Sequence, residues 1–446
     1  MNYSDAIRYL DRKIVFGVKP SLDRIRALCS LMDDPQNEYD SIQVTGTNGK
    51  TSVSLMVSAI LQKCGYRVGL YTSPHLETVR ERIRINGKLA GVDSFTAALG
   101  EMVPLVEQAE EMAGEALTYF EVVTGLAYSY FRRSRVDVAV LEVGMGGRWD
   151  ATNVVQSDVA VITGVALDHV KELGPSRQDI CAEKTGIINR GSVLVTAEST
   201  RELLLMMRQV CDDLGAEMKV FGRDFRLGYH LSYRVRGEPP AQIISVTGLE
   251  GVEFKEIKLP LLGKHQAINA SCAIASAQAY TGPRGRTYID CYRDALEKVA
   301  VPGRLEILHN QPVVVADGAH NMDGAERLAA ALTGEFDHDR KVIVISILED
   351  KDARGMIRAL GSIADLMVVT RGSSERSLPA ERLASFCKVE KVPFLVESDL
   401  GRALEAGISE AGPKGMVCVA GSLYTVAEAR AYFKRQKASR EMRQDR

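Results

Sequence analysis

The run Val44-Thr45-Gly46-Thr47-Asn48-Gly49-Lys50-Thr51-Ser52 has the residue types of a phosphate-binding loop. Its glycines, Gly49 among them, let backbone N–H groups crowd an anion, and a helix opening at Lys50 adds the positive end of its dipole. Lys50 can neutralise outer phosphates, and a hydroxyl of Thr51 or Ser52 can reach Mg²⁺. Val44 stands where the strict pattern has its first glycine, so a plain glycine turn with a solvated lysine fits the same residues. Glu142 ends an apolar run, at the edge where open α/β sheets place ligand groups. A carboxylate there suits Mg²⁺, which prefers hard oxygen donors, or it caps a helix. Ser73, in a Ser-Pro-His turn, offers a hydroxyl ligand or simply makes the turn. His169 follows an apolar run ending near Val165, and a lone histidine also serves as a satisfied structural residue.

These residues need elements to hold them. Short apolar runs alternate with helical patterns, which predicts an α/β protein with parallel sheets. Strands are predicted at residues 42–45, 68–71, 136–143, 159–163 and 193–196, several of them apolar throughout, as in sheets covered on both faces. Helical periodicity covers residues 50–63, 118–131 and 178–188. Residues 221–252 turn to polar and β-branched alternation, which predicts a small antiparallel addition. A second series of strands follows at 313–316, 342–347, 366–370, 393–396 and 417–420, each leading into a helical stretch. The Val301-Pro302-Gly303 turn separates the two series. We therefore expect two domains, residues 1–300 and 301–446, with a ligand cleft between them.

Composition removes several classes. The 446 residues carry 56 Lys plus Arg against 58 Asp plus Glu, a formal charge of -2, which argues against a nucleic-acid coat. Only residues 434–446 are markedly basic, and without interleaved aromatics they read as the frayed end of the last helix. Eight cysteines with no CxxC pair predict reduced thiols in a cytoplasmic protein. No signal-peptide pattern opens the chain, and no apolar stretch nears the roughly 20 residues that span a bilayer. Internal repeats are absent from the sequence.

The wording TGTNGKT resembles the Mur ligase superfamily of ATP-dependent amide ligases, and eight further motifs narrow the resemblance. They are YTSPHL (71–76), TYFEVVT (118–124), LEVGMGGRWDATN (141–153), LDH (167–169), AEKTGII (182–188), GKHQAIN (263–269), PGR (302–304) and DGAHN (317–321). In order and spacing they are similar to folylpolyglutamate synthase, including the bifunctional dihydrofolate synthase form, over essentially the whole chain. Only about 40 residues precede the loop, which argues against the branch that builds cell-wall precursors. Three departures bear on the acceptor: Thr51 replaces the family's usual glycine, residues 77–83 read ETVRERI, and residues 173–179 read LGPSRQD.

The resemblance implies a P-loop ATPase domain with a mainly parallel sheet plus a small antiparallel addition, then a C-terminal Rossmann-like α/β domain. It implies an ATP- and Mg²⁺-dependent ligase that joins L-glutamate to folate or dihydropteroate. A carboxylate is a poor electrophile, so the γ-phosphoryl group must first make an acyl phosphate. ATP would meet Gly49, Lys50, Thr51, Ser52, Asn269, Arg304 and Asp317, and Asn269 could equally cap its helix. Two metal sites would draw on Ser73, Glu142, His169 and Lys184, the last as a carbamate in place of a plain exposed lysine. Lys50, His169, Lys184, Asp317 and His320 would be the catalytic set. The pterin would lie against Thr118, Tyr119, Phe120 and Glu121 on one side and Trp149, Asp150 and Ala151 on the other, although Trp149 could also be interface core. Arg304 would reach phosphates across the cleft or make a salt bridge there. The expected protein is a monomer with no nucleic-acid or membrane partner. Rival readings are an amide ligase for another pterin-like acid, an ATP-hydrolysing switch, and an inactive paralogue; the last should have lost Lys50 or Glu142, and both are present.

Overall fold

The computed structural model describes residues 1–14, 20–233, 240–282 and 289–444, with side chains described as far as residue 437. Eight strands form the first sheet: β1 (Asp40–Thr45), β2 (Val68–Tyr71), β3 (Ile83–Ile85), β4 (Lys88–Leu89), β5 (Val138–Glu142), β6 (Val159–Ile162), β7 (Val193–Thr196) and β8 (Glu217–Val220). Their spatial order is β4-β3-β2-β5-β1-β6-β7-β8. All neighbours run parallel except the β2/β3 and β3/β4 pairs. β2, β5 and β6 are buried at every position, because helices cover both faces.

One face packs on the helices Lys50–Lys63 and Lys264–Thr281, and the opposite face on Asp23–Leu31, Val92–Ala113 and Tyr119–Arg133. The antiparallel addition is a three-stranded sheet in the order β11-β10-β9, made of β9 (Arg226–Tyr233), β10 (Ala241–Thr247) and β11 (Glu253–Leu259). Its apolar side chains Ile244, Phe254 and Ile257 join the first core cluster.

A third sheet contains β12 (Glu306–Asn310), β13 (Val313–Ala316), β14 (Lys341–Ile345), β15 (Leu366–Val369), β16 (Phe394–Val396) and β17 (Met416–Ala420), in the order β12-β13-β17-β14-β15-β16. Its pairs are parallel apart from the β12/β13 hairpin. β12 is absent from the expected series because Glu-Ile-Leu-His-Asn lacks the apolar run of a buried strand; it is an edge strand with all five residues partly or fully exposed. The helix expected at 178–188 is Arg177–Lys184, followed by a 3-10 turn at Thr185–Ile187 that tightens its end. The last helix, Leu423–Gln444, continues through most of the basic tail.

Loops after the carboxyl ends of β1, β5 and β6 lie together because those three strands are adjacent and parallel. Loops of the third sheet face them across a cleft. That placement brings residues distant in sequence into one cavity.

Candidate active site

The phosphate loop leaves β1 and turns into the helix Lys50–Lys63 with Gly49 as its cap. Gly46 has φ 147°, and a Cβ there would fall 1.9 Å from Thr163 Oγ1. Gly49 has φ 91°, with Asn269 Oδ1 2.7 Å from the place of a Cβ. Both positions therefore need glycine. Thr163 donates from Oγ1 to the Asn48 carbonyl at 2.6 Å, and Thr47 N–H donates to Gly164 O at 2.9 Å, which ties the loop to the end of β6. Lys50 Nζ reaches the carbonyls of Gly46 and Thr47 at 2.9 and 3.2 Å. Burial lowers its ammonium pKa, against the pull of Glu142.

Glu142, at the end of β5, is 1% exposed. It accepts from Thr51 Oγ1 at 2.6 Å and from the Ser73 backbone N–H at 3.1 Å. Burial pushes its carboxyl pKa up, opposed by Lys50 and the Thr51 hydrogen bond. Lys184, at the end of the helix Arg177–Lys184, is buried and lines the same cavity. Burial, with the Lys50 charge nearby, lowers its ammonium pKa to about 7. Among the described residues its Nζ has no hydrogen-bond or ion-pair partner.

Asp168 anchors the opposite wall. Lys351 Nζ lies 2.5 Å from its Oδ1, Asn321 Nδ2 donates to its Oδ2 at 2.9 Å, and His320 Nε2 is 3.5 Å from Oδ2. Burial alone would raise this carboxyl, but the His320 hydrogen bond and the Lys351 charge hold it well below the usual carboxylate range. His169 sits in the left-handed region at φ 49°, with Nε2 3.5 Å from Lys351 Nζ, and burial lowers its imidazole pKa. Asn48 of the phosphate loop donates from Nδ2 to Asn321 Oδ1 and Asp323 Oδ2 at 3.0 and 2.8 Å, so the loop also touches the start of the helix Met322–Glu335.

Asp317, after β13, accepts from Leu305 N–H and Ala319 N–H, both at 2.9 Å, and burial raises its carboxyl pKa. Those contacts shape the turn that carries Arg304, whose side chain reaches both the main cavity and a smaller one lined by Ser52, Asn269 and Asp317. No hydrogen bond from the Arg304 guanidinium is found among the described residues. Asn269 donates to Gln266 Oε1 at 3.1 Å. His320 keeps Nδ1 2.8 Å from Gly318 O.

The structure thus gathers Gly49, Lys50, Thr51, Ser73, Glu142, His169, Lys184, Arg304 and His320 around one cavity of about 260 Å³, with Ser52, Asn269 and Asp317 beside it. It does not bring the expected pterin walls there. Thr118 and Glu121 form a capping box, and Glu121 accepts from Arg24 Nε at 2.9 Å. Asp150 accepts from Met145 N–H and from Thr152, closing the turn after β5. Tyr119 stacks under Arg82, Phe120 leans on Tyr71, Ala151 is buried, and Trp149 is 49% exposed outside the cavity. Sequence reasoning missed Lys351 and Asp168 as a pair: Lys351 sits among the acids of Glu-Asp-Lys-Asp and reads as a solvated lysine.

Among the described residues, no three His, Cys, Asp or Glu side chains are grouped to hold a metal. Beside the phosphate loop the oxygen donors are the Glu142 carboxylate and the hydroxyls of Thr51 and Ser73, while the Asp168 carboxylate on the opposite wall is paired with Lys351. The set beside the loop fits Mg²⁺, which binds through one or two carboxylates, keeps waters, and takes its other ligands from phosphates.

Residues 44–277 match the Mur ligase middle domain, and residues 303–423 match the Mur ligase, glutamate ligase domain. The dihydrofolate synthase/folylpolyglutamate synthase of Mycobacterium tuberculosis is 42% identical over 380 residues, covering 82% of this chain and 77% of that protein. The Bacillus subtilis protein of the same name is 32% identical over 439 residues, 97% of this chain and 99% of its own. A solved structure of Mycobacterium tuberculosis folylpolyglutamate synthase complexed with ADP superposes with a TM-score of 0.90 at 37% identity, covering 97% of this chain and 98% of that one.

Proposed function

Since the chain belongs to the folylpolyglutamate synthase and dihydrofolate synthase family of Mur ligases, we propose that the cavity between its two large sheets is where a folate or pteroate carboxylate is activated and then joined to glutamate. The protein is an ATP-dependent acid–amino-acid ligase that adds L-glutamate. One observation carries the residue assignment: Lys50, Glu142 and Lys184 from the first sheet's side meet Arg304, His320 and Lys351 from the third sheet's side around the same space.

In this reading the phosphate loop and Lys50 hold the β- and γ-phosphates, and Arg304 reaches them from across the cleft. Asp317 keeps that arginine's turn in place, and Asn269 lines the smaller cavity beside the phosphate loop. Thr51, Ser73 and Glu142 would hold Mg²⁺, with His169 and a modified Lys184 at a second position; the metal's contribution is charge stabilisation on the transferring phosphoryl group. Phosphoryl transfer to the acceptor carboxylate gives an acyl phosphate, and attack by the glutamate amine expels phosphate. Lys50, Arg304 and Lys351 stabilise the negative charge that develops.

Lys184 is suited to carbamylation. Its amine is buried in the cavity, lacks a described partner, and at neutral pH exists substantially as the free base, which is the form that adds carbon dioxide. The carbamate would turn a cation beside Lys50 into an oxygen ligand. Electron density at near-neutral pH in crystals with Mg²⁺ and nucleotide tests it: a bare ammonium at an ordered Lys184 rejects the modification and leaves the other ligands standing.

The boundary between residues 1–300 and 301–446 is supported by the separate sheets on either side of Val301. We assign the chain to the cytoplasm as a monomer; its eight cysteines are free thiols, and among the described residues no helix is long and apolar enough to cross a membrane. The decisive assay is ADP release with ATP alone, with glutamate plus dihydropteroate, and with glutamate plus reduced folates. Stimulation by one acceptor only identifies a monofunctional enzyme, and equal release with ATP alone points to a nucleotide switch.

A further inference from the structure

The loop between β2 and β3 starts in the first sheet yet is fastened to the far side of the cleft. Leu76 packs into the apolar cluster of Val314, Val417 and Val426, which otherwise belongs to the third sheet. One residue later, both carboxylate oxygens of Glu77 lie 2.6 Å from Lys434 Nζ, and Oε1 also accepts from Arg430 Nε and Nη2 at 3.3 and 3.2 Å. Arg430 in turn pairs with Glu306 of β12, so a guanidinium only 14% exposed is held between carboxylates from the two sides.

The loop is braced by its own hydrogen bonds. Glu81 accepts from the backbone N–H groups of Leu76, Glu77 and Thr78 at 3.0, 2.9 and 2.8 Å, and Arg82 Nε donates to His75 Nδ1 at 3.0 Å. Its first residues, Ser73 and Pro74, line the cavity on one side. Leu423 and Tyr424, which open the helix carrying Arg430 and Lys434, line it on the other. A tether at Glu77 therefore fixes the spacing of two cavity walls that no β-ladder joins among the described residues.

We propose that Glu77, through Arg430 and Lys434, is a positioning residue that latches segment 73–82 onto the last helix and so sets the opening through which the acceptor enters. Glu77 is not among the cavity-lining residues and contacts none of the groups assigned to chemistry. An isolated exposed pair contributes little, but here one carboxylate meets two cations, one of them largely buried and charge-assisted from both sides. The inference rests on the reading of this cavity as the acceptor site.

Steady-state kinetics of Glu77→Gln test it. The acceptor KM should rise about three- to tenfold while kcat stays within about twofold, since the lost interaction shifts a population rather than a reacting group. ADP affinity and Tm should stay near the parent's. Added salt should raise the parent's acceptor KM and leave the variant's nearly flat. Lys434→Gln should act in the same direction, and the double variant should be no worse than Glu77→Gln alone. An unchanged acceptor KM, or single effects that multiply in the double variant, overturns the latch. Hydrogen exchange over residues 74–83 reads the same contact without substrate: faster exchange in Glu77→Gln is expected, and equal exchange rejects it. A parent enzyme with no acceptor-dependent turnover would instead overturn the functional reading, leaving the exchange result to judge the latch.

Discussion

Lys50 donates to two carbonyls of its own loop, contacts worth about 1 kcal/mol together with water competing for them. In the proposed reading its charge matters far more to a transferring phosphoryl group. Lys50→Ala should therefore lower turnover by about a thousandfold or more while leaving Tm within a few degrees. Activity within a few-fold of the parent would remove the phosphate-loop assignment. Glu142 presents the opposite balance, because burial already disfavours its charge. Glu142→Gln keeps the shape and should leave stability level or slightly higher, while turnover falls about a hundredfold and partly recovers at high Mg²⁺ by mass action. A loss seen only in thermal stability would make Glu142 structural. The place of both residues was legible in sequence, because each ends or follows an apolar strand, and the structure brings both to the cavity. The surroundings of Glu121 and Asp150 were not, since the sequence does not show that one carboxylate joins a capping box and the other closes a turn.

Most strands and helices that position the cavity follow from apolar periodicity, and their observed bounds differ from the expected ones mainly by trimmed ends, as at β5. What periodicity does not carry is contact between elements. Lys351 lies in the loop between β14 and the helix Ala353–Gly361, and only the folded chain shows it reaching Asp168 after β6. That pair joins two elements from different sheets, so its loss should be felt as both stability and geometry. Lys351→Met leaves Asp168 with Asn321 and His320 and should cost about 2 kcal/mol, less than a fully orphaned buried charge. The folded state depresses the Asp168 carboxyl, so the stability it contributes is present above the unfolded value near 4 and lost as pH falls below it. Urea titrations should accordingly show the difference between parent and variant in full at pH 7 and shrinking below about pH 4. A constant difference across that range would mean that Lys351 acts through packing alone.

At the scale of the molecule, the proposed reading draws on groups from both sides of the cleft, and the cleft is closed enough to desolvate side chains that a surface would leave wet. His265, in the first turn of the helix Lys264–Thr281, shows the consequence. Burial lowers its imidazole to about 4, and Arg327 and Arg304 from the other side push the same way, with Asp323 opposing. The histidine is therefore neutral at pH 7 and offers a lone pair beside the smaller cavity. An imidazole whose folded value lies below its unfolded value of about 6.5 binds fewer protons in the fold, so stability rises with pH between about 4 and 6.5 and is lost as pH falls through that window. The shift corresponds to roughly 3 kcal/mol at the acid end. His265→Gln, which cannot titrate, should flatten the fall in urea midpoint between pH 6.5 and 4 relative to the parent, whatever its stability at pH 7. Because the two arginines contribute to the shift, Arg327→Gln should move the parent's acid transition in the same direction by a smaller amount. Parallel pH profiles for parent and His265→Gln would show that the cleft admits solvent to this side chain, and with it that the two sides do not close as tightly as the chemistry of an acyl phosphate requires.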